Sequence, residues 1–217
     1  MRNLRPECAP FLMLTLLAAQ AHAAGLVATV RDGSGPVPNA VVLAAPEDAS
    51  VPLAKQTVET IDQIDKEFVP YVKAVRAGSM VQFPNKDNIR HHVYSFSPPK
   101  RFELPLYAGN PARPVLFDKP GVVKLGCNIH DWMLAYVYVA ETPYFAKTDA
   151  SGRAELKDMP AGHYRLRVWH PGMTISEDAT ARRVELGEGA ATIEWKLELK
   201  RELRPRRATA PGEPGYR

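Results

Sequence analysis

Cysteine is almost missing from this chain. Of 217 residues only Cys8 and Cys127 carry a thiol. A fold held by several disulfides is therefore excluded. Long apolar runs are also missing. The main one, Phe11–Ala19, is too short to span a bilayer core of ~30 Å as a stable helix. No helical periodicity extends beyond a couple of turns, which argues against bundles and coiled coils. Histidine is scarce, with six residues, and apart from the adjacent His91 and His92 they are scattered. That leaves no cluster of histidines of the kind a multi-metal oxidase or reductase needs.

The apolar run has a recognisable setting. Arg2 and Arg5 precede it, and Ala21, His22 and Ala23 follow it. A basic start, a short apolar run and a small-residue end have the order of a secretory signal peptide, expected to span residues 1–23. Cleavage after Ala23 would remove Cys8 and leave Cys127 as the only thiol. A retained anchor is the alternative. The expected location is periplasmic or secreted, with no transmembrane segment after cleavage.

Charge is nearly balanced except at the end of the chain. Lys200, Arg201, Arg204, Arg206, Arg207 and Arg217 face only Glu202 and Glu213. Residues 201–217, rich in Pro and Arg, read as a disordered basic tail. Its expected role is a solubilising end, or adhesion to an anionic surface. No pattern points to nucleic acid.

Short β signals fill the rest. Leu26–Arg31 alternates and stops at the turn cluster Asp32–Pro36; Ala40–Ala44 follows and closes at Pro46. Thr57–Lys66 fits a short helix or an extended connection. Phe68–Val75 reads as a strand with an edge or bulge at Pro70. Ser79–Phe83, His91–Phe96, Phe102–Tyr107, Pro114–Phe117, Gly121–Cys127 and Leu134–Val139 complete a first series. After Pro143, Ala154–Lys157, His163–Trp169, Val184–Leu186 and Ala191–Leu199 form a second. Many short strands at this spacing indicate an all-β chain of sandwiches or barrels.

The chemistry is concentrated in Cys127-Asn-Ile-His130-Asp-Trp-Met133, a loop between two strands. A thiolate, an imidazole and a thioether converge there. Soft sulfur ligands select copper, and imidazole suits it. Two imidazoles and one thiolate with a weak axial methionine describe a single type-1, or blue, copper site. The second imidazole must come from another strand. His91 and His92 both qualify, but neighbours on a strand point to opposite faces, so one of them reaches the metal. Zinc would favour more cysteines or histidines. A Cys–His nucleophile would need an orienting third residue that is not evident.

Phe83–Phe96, with the Cys127–Met133 loop, resembles the cupredoxins, all-β Greek-key barrels or sandwiches of plastocyanin and amicyanin type. The resemblance runs from Phe68 to Val139 and extends to Phe102–Tyr107 and Phe117–Val123. The two-residue gap between His130 and Met133 is similar to the amicyanin loop. Such chains are often labelled methylamine-utilisation proteins. In that family the ligand histidine is commonly followed by an asparagine and a valine. His91 and Val93 match, while His92 stands where the bracing asparagine usually is. The resemblance implies copper ligands His91, Cys127, His130 and Met133, with His92 as the alternative to His91. It also implies that His130 lies near the surface as an electron port. Trp132, next to Met133, is expected either to build an apolar docking patch around it or to pack in the core. Asn88 and Asn128 are candidates for hydrogen bonds to the ligands. His163 and His170 read as surface or turn residues.

Thr148–Val168 resembles the carboxypeptidase-regulatory-like sandwich, a small transthyretin-like module without catalytic residues. Val27–Leu43 is similar to its usual opening. Residues 24–46 and 142–200 are therefore expected to form that sandwich, with the copper domain, 47–141, carried between them. The expected function is an electron carrier, not an enzyme, serving a redox protein such as a c-type cytochrome or periplasmic dehydrogenase. A copper carrier or resistance protein, and an adhesion module with a vestigial site, are the alternatives.

Overall fold

The computed structural model describes residues 24–48, 56–111, 113–187 and 189–200. The expected signal peptide and basic tail lie outside the described residues. The described chain is almost entirely β, its one helical element being a 3-10 turn at Glu177–Thr180. Thr57–Lys66 is extended, with short strands at Val58–Thr60 and Asp62–Ile64. The expected strand through Pro70 divides into Glu67–Val69 and Val72–Arg76, with a cis Val69–Pro70 bond between them.

Strand pairing sorts the chain into two sets. In the first, Ala24–Asp32 lies between Arg153–Met159, antiparallel, and Ala190–Lys196, parallel. A second sheet of this set runs in the order Phe145–Lys147, Val41–Pro46, Gly162–Trp169, Arg182–Leu186. The beginning and end of the described chain are thus hydrogen-bonded side by side. In the second set, a five-stranded sheet runs Phe102–Tyr107, His91–Ser95, Gly121–Gly126, Leu134–Ala140, Val72–Arg76. A three-stranded sheet runs Val115–Phe117, Ser79–Gln82, Val58–Thr60. A hairpin of Asp62–Ile64 and Glu67–Val69 completes the set. These sheets are open rather than closed into a barrel, the other form expected for the fold.

Burial follows from side-chain parity. On Val41–Pro46 the first four residues are all buried. Val42 and Ala44 enter a core with Leu26, Leu156, Tyr164, Leu166 and Trp195. Val41 and Leu43, on the opposite face, enter another with Val72, Tyr138 and Ala140. Leu134–Ala140 behaves likewise: Ala135, Val137 and Val139 point into a core with Phe83, Phe117 and Leu125, and Tyr138 and Ala140 point away from it. The two sets therefore meet through sheets that are buried on both faces. Each large aliphatic side chain so buried contributes about 1.5–3 kcal/mol. Tyr136 and Tyr138 also pack on Trp169 across the junction, with ring centroids 5.7 and 5.5 Å apart.

Candidate metal centre

The loop Cys127–Met133 is closed by the sheet beneath it. Gly126 pairs with Leu134, so its two ends leave adjacent positions on neighbouring strands. Inside the loop the Met133 N–H donates to the His130 carbonyl at 3.0 Å. Gly126 also pairs with Tyr94 of the next strand. A Cβ at Gly126 would sit 2.7 Å from the Tyr94 ring, so the absent side chain lets Tyr94 lie against the strand entering the loop.

His91–Ser95 alternates strictly. His91, Val93 and Ser95 are buried, and His92 and Tyr94 are half-buried. His91 therefore faces inward, where its ring lies 4.9 Å from that of His130. Donor atoms of His91, Cys127 and His130 all lie within 4.8 Å of one another. Cys127 Sγ and His130 Nδ1 are 3.8 Å apart. His92 faces the other way, its Nε2 3.0 Å from the Glu103 carboxylate without making a hydrogen bond. Met133 is 1% exposed and belongs to the same core as Cys127. Both line an open cleft of about 580 Å³ that also touches Tyr94, Phe96 and Asp131.

His91 carries the most informative detail. Its Nε2 lies 2.7 Å from Asp87 Oδ2, whereas its Nδ1 is buried with no hydrogen-bond partner. An ionised carboxylate only accepts, so the Nε2 beside Asp87 is the nitrogen that donates, and Nδ1 is left without a protein partner. Burial opposes ionisation of Asp87, but hydrogen bonds from His91 and from the Lys66 and Asp65 N–H groups outweigh it and hold the carboxyl below its usual range. A buried acceptor left unpaired is costly in a core and suited to a cation. Burial lowers the His130 pKa, as do His91 and Lys66, against a smaller opposing effect of Asp87. A neutral His130 is the form able to bind a metal. The donor set fits a soft metal ion held by His91, Cys127 and His130.

Several supporting contacts escape sequence reasoning. Asn85, rather than the exposed Asn88 and Asn128, ties the loop before His91 together. Its Nδ2 donates to the Ile89 and Tyr107 carbonyls at 2.8 and 2.9 Å, and its Oδ1 accepts from the Asp87 N–H. Gln63 is fully buried and donates to the Phe83 carbonyl at 3.0 Å and the Tyr107 hydroxyl at 2.6 Å. Burial pushes the Tyr107 hydroxyl up to about 12, with the Gln63 hydrogen bond opposing and Cys127 reinforcing the shift. Trp132 is half-buried, 5.1 Å from the His130 ring, and its indole N–H donates to the Lys66 carbonyl at 3.0 Å. The visible signal for these contacts was a polar residue inside a β-rich segment, which names no partner.

The remaining described histidines lie in the first set of strands. His163 is exposed beside Asp48. His170 sits in a turn, where its Nδ1 accepts from the Gly172 N–H at 3.0 Å.

No family model matches the chain, and no curated protein matches it either. Among solved structures it is similar to a copper-containing nitrite reductase from Thermus scotoductus SA-01, at 23% identity and TM-score 0.37. That match covers 45% of this chain and 25% of the reductase. It is similar to a purple cupredoxin from Nitrosopumilus maritimus, at 21% identity and TM-score 0.34, over 38% of this chain and 99% of that one. An oxidised amicyanin variant shares 18% identity at TM-score 0.35, over 38% of this chain and 81% of its own.

Proposed function

We propose that the protein is an exported single-electron carrier that binds one copper ion through His91, Cys127, His130 and Met133. The observation that carries this reading is that a ring nitrogen of His91, the Cys127 thiol and a ring nitrogen of His130 lie within 4.8 Å of one another, with His91 Nδ1 buried and without a hydrogen-bond partner. A copper ion bound there supplies reversible one-electron chemistry, and sulfur with imidazole is the ligand set that favours it. The chain's own part is preparation. Asp87 fixes the tautomer of His91. The strand pair on either side of the loop holds Cys127 and Met133 together. Core packing around Met133 and Cys127 holds the two sulfur side chains in place. His130 is only half-buried and flanked by the exposed Ile129, so it offers an edge to a partner. Electron-transfer encounters are small and transient, and a patch of this size suits one. The partner we propose is a redox protein such as a c-type cytochrome or a dehydrogenase of the same compartment, the basic and apolar N-terminal sequence supporting export.

We further propose that residues 47–141 form a copper domain carried within a sandwich of 24–46 and 142–200, which the strand pairing supports. Equilibrium dialysis and stopped-flow mixing test the function together. One copper per chain and rapid oxidation of a reduced c-type cytochrome are expected. Copper that passes to a chelator without any electron exchange would contradict the carrier reading.

A further inference from the structure

Two ligand-bearing segments, the loop before His91 and the Cys127–Met133 loop, are far apart in sequence, yet both are bonded to the tip of one hairpin. Asp65 and Lys66 form that tip, between strands Asp62–Ile64 and Glu67–Val69. Both have positive φ, 53° and 60°, the backbone of a tight primed turn built without glycine. This conformation turns two successive N–H groups towards Asp87. Asp65 N–H donates to Oδ1 at 2.7 Å and Lys66 N–H to Oδ2 at 2.9 Å. The same Oδ2 receives His91 Nε2. On the other side the Lys66 carbonyl accepts the Trp132 indole N–H. The base of the hairpin is fixed by the buried Gln63 and Phe68, and Gln63 and Lys86 bond backbone to backbone.

We propose that the Asp65–Lys66 tip is the positioning element of the metal centre, coupling His91 to the Cys127–Met133 loop through Asp87 and Trp132. Trp132 and Asp87 are then positioning residues that act through one shared residue, Lys66, on its carbonyl and its N–H. This inference rests on the copper reading for one of its readouts and on the metal-free protein for the other.

A double-mutant cycle with Trp132→Phe and Asp87→Asn tests it. Phenylalanine keeps an aromatic ring and loses the N–H. Asparagine keeps one acceptor oxygen but turns a donor towards groups that also donate. Each single change is expected to weaken copper binding about 10- to 100-fold, the usual effect of losing a group that orients a ligand. Because both act through one tip, the double variant should bind little worse than the weaker single one. Independent, multiplying effects would overturn the proposal, as would wild-type affinity in Trp132→Phe. Trp195→Phe is the control. It removes the indole bond to the Thr180 carbonyl in the other core and should leave copper affinity unchanged. In metal-free protein, Trp132→Phe should quicken amide exchange at Asp65 and Lys66 and shift the His91 Nε2–H resonance. No response at His91 breaks the proposed link even if copper never binds. A response at His91 in a chain that takes up no copper would sink the function while leaving the link intact.

Discussion

Cys127 Sγ and His130 Nδ1 lie 3.8 Å apart across a single turn of the loop, both on the side that faces His91. A cysteine 4% exposed in an apolar core would serve as packing if it stood alone. Beside two imidazoles the role we propose for it is ligation. Cys127→Ser is therefore expected to abolish tight copper binding. A hydroxyl in this core costs about 1–3 kcal/mol if unpaired. Metal analysis with a thermal melt checks both halves, and a folded variant retaining full copper would contradict the assignment.

His91→Ala and His92→Ala should differ sharply, although the residues are adjacent. The first removes a buried donor, the second a half-buried ring on the opposite face. Copper affinity should fall by at least about 100-fold for His91→Ala, roughly 2.7 kcal/mol, and stay within about threefold for His92→Ala. A competitive titration of both variants makes the comparison.

Two histidines should respond to pH in opposite senses. In the metal-free protein His130 has a lowered pKa, so the unfolded chain binds the extra proton more readily. Its contribution is complete above the unfolded value of ~6.5 and is lost as pH falls through that value towards the lowered folded one. His163 has a raised pKa, chiefly through its hydrogen bond to Asp48. Its contribution is complete below ~6.5 and is lost as pH rises through the raised folded value. Histidine NMR titration should show His130 below and His163 above the free range. Asp48→Asn should return His163 to it.

Leu43 is fully buried where the two sets of strands meet, with Val72 and Tyr138. Leu43→Ala should cost about 2–5 kcal/mol, the range for deleting a large buried aliphatic group. Because Val41–Pro46 is packed on both faces, the loss should lower the unfolding midpoint read at Trp195 in one core and at Trp132 beside the other. Single-tryptophan variants followed in denaturant distinguish this from a loss confined to one core.

How legible all this was depended on distance along the chain. Cys127, His130 and Met133 share one loop, and local strand signals on both sides show where it begins and ends. Strand parity separates His91 from His92 because adjacent side chains must diverge. The all-β character follows from alternation, as in His163–Trp169. Asp87, Gln63 and Trp132 were harder, because each acts on a partner remote in sequence. The Asp65–Lys66 turn carries no glycine, so its left-handed backbone leaves no sequence mark, and a helix remained open for Thr57–Lys66. The parallel pairing of Ala24–Asp32 with Ala190–Lys196 has no local signature either. Closure into a barrel is a relation among strand edges, which periodicity does not report.

The central claim is that His91, Cys127, His130 and Met133 bind copper in a trigonal, thiolate-dominated site. The optical and EPR spectra of the Cu(II)-loaded protein, lacking residues 1–23, test it most directly. An intense visible thiolate-to-copper absorption, with the unusually small copper hyperfine splitting of such a site, is expected, and both should vanish in Cys127→Ser. A weak, pale spectrum of ordinary tetragonal copper, unchanged by Cys127→Ser, would contradict the account.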